Sequence, residues 1–94
     1  MDREVSGILV EWDDKKSALN MKKHKISFYT AAMVFADDNR IELPEYRNGE
    51  ERFQVIGQVG KVIFVVYTQR GEYSRIISAR KATERERSVY YGDY

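Results

Sequence analysis

Arg75-Ile76-Ile77-Ser78-Ala79-Arg80-Lys81-Ala82-Thr83-Glu84-Arg85-Glu86-Arg87 decides how this chain is read. Its first half is rich in β-branched residues and alternates, which predicts a strand returning over Tyr73 to Ala79. Its second half opens with Thr83 and places Glu86 three residues later, the spacing of a capping box, which predicts a helix from Thr83 to about Tyr91. Arg80 and Lys81 stand where strand gives way to helix. Between Arg70 and Arg87 there are six basic residues and three acidic ones, so the block carries an excess of three positive charges. Arginine held on a strand keeps a fixed planar fork, which matches phosphate geometry.

Upstream of this block the chain reads as a run of hairpins. Gln69-Arg70-Gly71-Glu72 predicts a turn, and Val62-Ile63-Phe64-Val65-Val66-Tyr67 before it is apolar on both sides, which predicts a central strand covered on both faces. Gly60-Lys61 turns the chain again. Glu51 to Val59 alternates, with Phe53, Val55, Gly57 and Val59 on one side, and Asn48-Gly49 is a strong turn signal. Arg40 to Tyr46 contains Pro44 and reads as an edge strand. If the Arg70-Gly71 pair forms a two-residue loop, Val66 faces Arg75 and Phe64 faces Ile77. Ser78 and Arg80 then lie on the other surface with Ile63, Val65 and Tyr67. A one-residue bulge would swap these faces, so the arginine faces stay open at this point.

The N-terminal part reads as helical. Ile8 to Trp12 is a short apolar piece with room for a small strand. Asp13 or Asp14 can cap a helix running from Asp14 to Lys25, with lysines at its C-terminal end where the helix dipole favours cations. Ser27 caps the next helix. Phe28, Ala31, Ala32 and Phe35 follow at i, i+3, i+4 and i+7, an apolar stripe that ends near Asp37-Asp38-Asn39. The expected fold class is α+β: two N-terminal helices packed on a four-stranded antiparallel meander sheet, then a C-terminal helix, in the order ααββββα.

With 94 residues the chain holds one domain, taken as 1–94. Its apolar content of 43% is that of a globular protein and not a disordered one. No cysteine is present, which excludes disulfides and cysteine-based zinc sites. No apolar run approaches the ~18 residues of a membrane span, and Met1-Asp2-Arg3-Glu4 lacks a signal pattern, so a cytoplasmic location is expected. Net charge is only +1, which argues against a general polyanion binder. The charge is sorted along the chain: residues 1–14 balance at −4, the stretch from Lys15 to Lys25 holds five lysines and no acid, and residues 36–51 again balance at −4. Such sorting can steer an anionic ligand or a charged partner.

Beyond these patterns the sequence resembles a known family. Trp12-Asp13-x-x-Lys16-x-x-x-Asn20-x-x-Lys23-His24, then Ser27-Phe28-x-x-Ala31-x-x-Val34-Phe35-x-Asp37, resembles the N-terminal half of the BrnT family. Glu50-Glu51-Arg52, Gly57, Val66-Tyr67-Thr68-x-Arg70, Arg75-Ile76-Ile77-Ser78-Ala79-Arg80-x-Ala82-Thr83, Glu86-Arg87 and Tyr90 extend the resemblance in register over roughly residues 11–91. The resemblance implies a RelE-like fold and a ribonuclease toxin of a type II toxin–antitoxin system, acting without metal. It also implies neutralisation by a BrnA-like ribbon-helix-helix antitoxin, with operator DNA touched only through that antitoxin. An alternative is a catalytically inactive toxin-like subunit that serves as antitoxin partner and co-repressor. Lys25 departs from the pattern by standing where the family usually has glycine, and residues 38–49 match it poorly.

Metal-free RNA cleavage needs a base for the 2′-hydroxyl, cations for the charge gathering on phosphorus, and an acid for the leaving 5′-oxygen. Arg70, Arg75 and Arg80 are the candidate cations; arginine stays protonated and cannot serve as base. His24 is the candidate whose side-chain type, with an unperturbed pKa of ~6.5, suits acid and base work near neutrality. Glu51 is a second candidate base, and Lys23, Tyr67 or Tyr90 a candidate donor. Lys23, Lys81, Arg52 and Tyr67 are the expected RNA-binding residues, and no cofactor or metal is expected. Structural roles compete with each assignment. His24 suits a helix end by its charge alone, and Arg75 and Arg80 can pair with Glu51, Glu84 or Glu86.

Overall fold

A β-hairpin opens the chain. In the computed structural model, which describes residues 1–93 apart from the side chain of Arg47, β1 (Asp2–Val5) and β2 (Ile8–Glu11) pair antiparallel around Ser6-Gly7. Both turn residues have positive φ, 49° and 83°, as a tight two-residue hairpin requires. Tyr94, the end of the domain expected over 1–94, lies outside the described residues. Helix α1 (Asp14–His24) and helix α2 (Phe28–Ala32) follow, the second running into a 3-10 turn at Met33–Ala36. Four strands come next, β3 (Ile41–Arg47), β4 (Glu50–Val59), β5 (Lys61–Arg70) and β6 (Tyr73–Lys81), and helix α3 (Glu84–Tyr91) closes the chain.

The sheet corrects the expected fold class. It has six strands in the order β1-β2-β6-β5-β4-β3, not four, and it is mixed, because β2 runs parallel to β6 with Val10 beside Ser74 and Glu11 beside Arg75. Its first elements are strands, not helices. The physical reason that β1 escapes a pattern reading is its composition. Asp2, Arg3 and Glu4 are exposed and only Val5 is buried, so the strand carries the charges that blunt a sheet edge and no alternation.

Two apolar layers hold the sheet. One face packs Val55, Ile63, Val65, Tyr67, Ile76 and Ala79 against Phe28, Ala31, Ala32, Val34 and Phe35. Gly57 permits this contact: a Cβ there would run into a Val34 methyl. The other face carries a smaller cluster of Ile56, Val62 and Ala82, with Phe64 and the α3 residues Val89 and Tyr90. Helix α3 therefore covers one end of that face, and the rest is left open.

Helix α1 does not lie on a face. Its single buried residue is Asn20, while Leu19 remains 66% exposed. The Asn20 amide explains its position. Its Nδ2 donates to the carbonyls of Ala79 and Ile26, both at 2.8 Å, and its Oδ1 accepts from the Ala79 amide at 3.3 Å. Strand β2 pairs with β6 only at Ser74 and Arg75, so the edge of β6 beyond them lacks a strand neighbour. Asn20 presents a donor and an acceptor to that edge as a backbone would. Asp13 caps the start of the helix, accepting from the amides of Lys15 and Lys16, and Lys25 ends it in the left-handed region at φ 63°.

Replacing Asn20 with alanine leaves the Ala79 amide and two buried carbonyls without partners. The expected loss is roughly 2–4 kcal/mol in urea unfolding, since each orphaned buried group costs ~1–3 kcal/mol. Lys25→Gly is expected to raise stability by about 0.5–1 kcal/mol, because a left-handed backbone costs a side-chain-bearing residue ~1–2 kcal/mol and glycine's extra chain entropy returns part of that gain. Unchanged unfolding midpoints in both variants would contradict these assignments.

Candidate active site

Arg75 and Arg80 are five residues apart, an odd spacing, so a regular strand would point them to opposite faces. The structure places them on the same one. The turn is Gly71-Glu72, which sets Arg70 opposite Tyr73, Thr68 opposite Arg75 and Tyr67 opposite Ile76. The register then shifts between Val66 and Tyr67: Val66 lies opposite Ser78 and Phe64 opposite Arg80, and Ile77 is the extra residue. This β-bulge restores Arg80 to the face of Arg75.

The open face gathers side chains from three strands. Arg52 and Gln54 come from β4, Thr68 and Arg70 from β5, and Arg75, Ser78 and Arg80 from β6. They line two adjoining clefts of about 330 and 220 Å³, with Arg52 on the wall of both. The larger cleft runs over Arg80 and Glu86. The smaller includes Arg70, Arg75 and Glu50, and Lys16 reaches it from α1.

These arginines are not equivalent. Arg75 Nη1 donates to Glu11 Oε2 at 2.6 Å, across the parallel β2–β6 contact. Arg80 grips Glu86 with both Nη atoms, at 2.8 and 2.9 Å, and lies 4.1 Å over the Phe64 ring. Glu86 Oε1 also accepts from the Thr83 amide, and the Thr83 hydroxyl accepts from the Glu86 amide, so the capping box and the Arg80 pair share one carboxylate. Burial alone would raise the pKa of Glu86, but Arg80 and the Thr83 amide hold it below the ordinary carboxylate value. The Glu86 bonds in turn raise that of Arg80. Arg52 stands 3.6 Å from Glu50, and its buried Nε has no hydrogen-bond partner among the described residues. Arg70 is exposed and has no carboxylate partner among the described residues.

Other residues singled out from the sequence are placed elsewhere. Tyr67 points into the core on the α2 side. Its hydroxyl donates to Glu42 at 2.7 Å, its ring stacks on Phe53, and burial followed by the Glu42 bond pushes its pKa far above the ordinary phenol. Glu51 shares the Phe53 side of β4, and Lys81 sits opposite Ile63, so neither joins the arginines; strand parity puts Glu50 on the open face instead. Lys23 and His24 line a separate cleft between α1 and β6. Tyr90 donates to Asp37 at 2.6 Å, a bond that, with burial, pushes its pKa up to about 12. Asp37 also accepts from the amides of Asn39 and Gln58. Burial opposes its ionisation, and these donors together hold its pKa below the ordinary value. Glu11, Asn20, Lys16 and Glu50 also stand at or beside this face, and their sequence contexts do not mark them. An acid in a short N-terminal strand is a weak signal, and a helix asparagine weaker still.

The fold and this face define a small α+β domain with a guanidinium-rich sheet surface. Residues 12–86 match the family described as "Ribonuclease toxin, BrnT, of type II toxin-antitoxin system", and the chain belongs to that family. Its fold is similar to that of the crystal structure of the Brucella abortus ribonuclease toxin, BrnT. The TM-score is 0.64 at 22% identity, over 80% of this chain and 96% of that one. No curated protein matches the chain. Membership implies an RNA substrate and an antitoxin partner. No helix among the described residues is long and apolar enough to cross a membrane.

Asp37 and Glu86 have folded pKa values below their unfolded ones, so their contribution to stability is present above the ordinary carboxylate range, about pH 4, and is lost as pH falls through the folded values. The melting temperature is expected to stay level from pH 7 to about pH 5 and to drop below about pH 4. In an Asp37→Asn, Glu86→Gln double variant that drop should be shallower, and an equally steep one would contradict the assignment.

Proposed function

We propose that this chain cleaves RNA without a metal ion, on the open face of its sheet. The observation that carries the reading is the bulge at Ile77, which sets Arg75 and Arg80 on one surface with Arg52 and Arg70. Arg70, with no carboxylate partner among the described residues, can donate its N–H groups to a phosphate. Arg75 spends one Nη contact on Glu11 and keeps further N–H donors for the same group. Arg52 joins them at the boundary of the two clefts. Together they would hold the scissile phosphate and stabilise the charge that builds on it when the 2′-hydroxyl attacks phosphorus.

Glu50 is the best-placed base, since it lines the cleft of Arg70 and Arg75; Glu51 faces away. Taking the 2′-hydroxyl proton, it lets the 2′-oxygen bond to phosphorus as the bond to the 5′-oxygen breaks. His24, in the neighbouring cleft that shares Lys16 and Ile77, is the candidate to protonate that 5′-oxygen. Arg80 acts chiefly through Glu86, as an anchor for α3. The antitoxin is proposed to be a ribbon-helix-helix protein that masks this face in the cytoplasm and carries the contact with operator DNA.

A second reading is a catalytically inactive subunit kept as antitoxin partner and co-repressor. The carboxylates already seated on Arg75 and Arg80 favour it.

The purified chain is expected to cut a labelled transcript in excess EDTA. Arg70→Ala and Arg75→Ala should each slow cleavage by roughly 10²-fold or more with the fold intact. Arg80→Ala should chiefly lower stability. Full activity in a folded Arg70→Ala, Arg75→Ala double variant would overturn the site. A folded chain that binds its antitoxin and cuts no transcript would establish the second reading.

A further inference from the structure

We propose that the cleft between α1 and β6 is a nucleobase subsite, which takes one unstacked base of a single-stranded RNA lying across the arginine face. The inference rests on the reading of that face as the RNA site, and it adds where the strand goes on leaving it.

The cleft, about 250 Å³, exists because α1 is tied to the edge of β6 through Asn20 instead of being packed on a face. Leu19 and Ile77 give it an apolar lining. Leu19 is exposed because α1 buries only Asn20, and Ile77 is half-buried because the bulge removes it from the ladder. Stacking and apolar contact with a splayed base are how proteins read single-stranded RNA.

Charge on the rim selects the occupant. Lys16 and Lys23 stand seven residues apart on α1, two helical turns or ~10 Å, one toward each end of the cleft. An apolar slot framed by two lysines fits a base flanked by its phosphates better than it fits an apolar protein segment. Hydrogen-bonding groups at the wall are also unspent: neither the Ser78 hydroxyl nor the His24 ring is bonded to another side chain or to the backbone among the described residues. Continuity completes the argument. Lys16 and Ile77 line both this cleft and the one holding Arg70 and Arg75, while Ser78 also lines the one holding Arg80. A backbone gripped by the arginines therefore meets this slot next, over the bulge.

The test uses the whole chain, methyl-labelled for NMR, and a hexaribonucleotide carrying 2′-O-methyl groups so that it binds without being cut. The Leu19 and Ile77 methyl signals are expected to shift together with the Arg75 Nε signal as the oligonucleotide is added. Leu19→Trp, which fills the slot at an exposed position, should abolish the Ile77 shift and keep that of Arg75. Lys16→Ala should reduce the salt dependence of binding by about one phosphate contact. If Arg75 shifts while Leu19 and Ile77 stay still, the subsite is overturned and the arginine face stands. If none of the three shifts, both fail. If Leu19 and Ile77 respond only to the antitoxin, the cleft is a protein-docking site and the proposal is wrong.

Discussion

One inserted residue sets the direction of every guanidinium on β6. Side chains on a strand alternate, so the odd interval between Arg75 and Arg80 would otherwise divide them between the core and the solvent. The bulge at Ile77 absorbs one residue, keeps Ile76 and Ala79 facing the α2 layer, and turns both arginines to the open side. The same local event pushes Ile77 toward α1. The cationic surface and the adjoining slot thus share a single backbone cause, and Asn20 holds the edge beside that irregularity.

The electrostatics of the face are balanced and not simply basic. Arg80 and Glu86 neutralise each other while fastening the start of α3 to the sheet, and Glu86 also completes the Thr83 capping box. Arg75 and Glu11 link the first part of the chain to the last strand. Arg52 and Arg70 are less committed. A face built this way has low net charge yet high local donor density, which favours a particular phosphate geometry over indiscriminate attraction to any polyanion.

Much of this was legible in the residues. Thr83 and Glu86 announced the α3 cap, Ser27 and the Phe28–Phe35 stripe announced the second helix, and Asn48-Gly49 gave its hairpin. The pairing of Arg80 with Glu86 is also one that their proximity in the sequence allows. The six-stranded sheet is hidden in the sequence because β1 is charged at three of its four positions and because β2 finds its β6 partner more than sixty residues later, which no local pattern reports. Face assignment waited on the bulge, which Ile76-Ile77 does not signal by composition. Glu51 and Tyr67 looked like site residues by their neighbours in sequence, yet strand parity sends both to the core side. Lys25, out of pattern as the position usually glycine, sits where the backbone is left-handed.

The parallel contact between β2 and β6 has a consequence for how the chain matures. Glu11 must wait for Arg75, 64 residues later, before their bond can form. At a synthesis rate of roughly 5–20 residues per second, the N-terminal hairpin spends seconds without its neighbour. Its edge and the β6 edge can close only once β6 has left the ribosome. A nascent fragment that stops short of β6 accordingly carries no finished arginine surface.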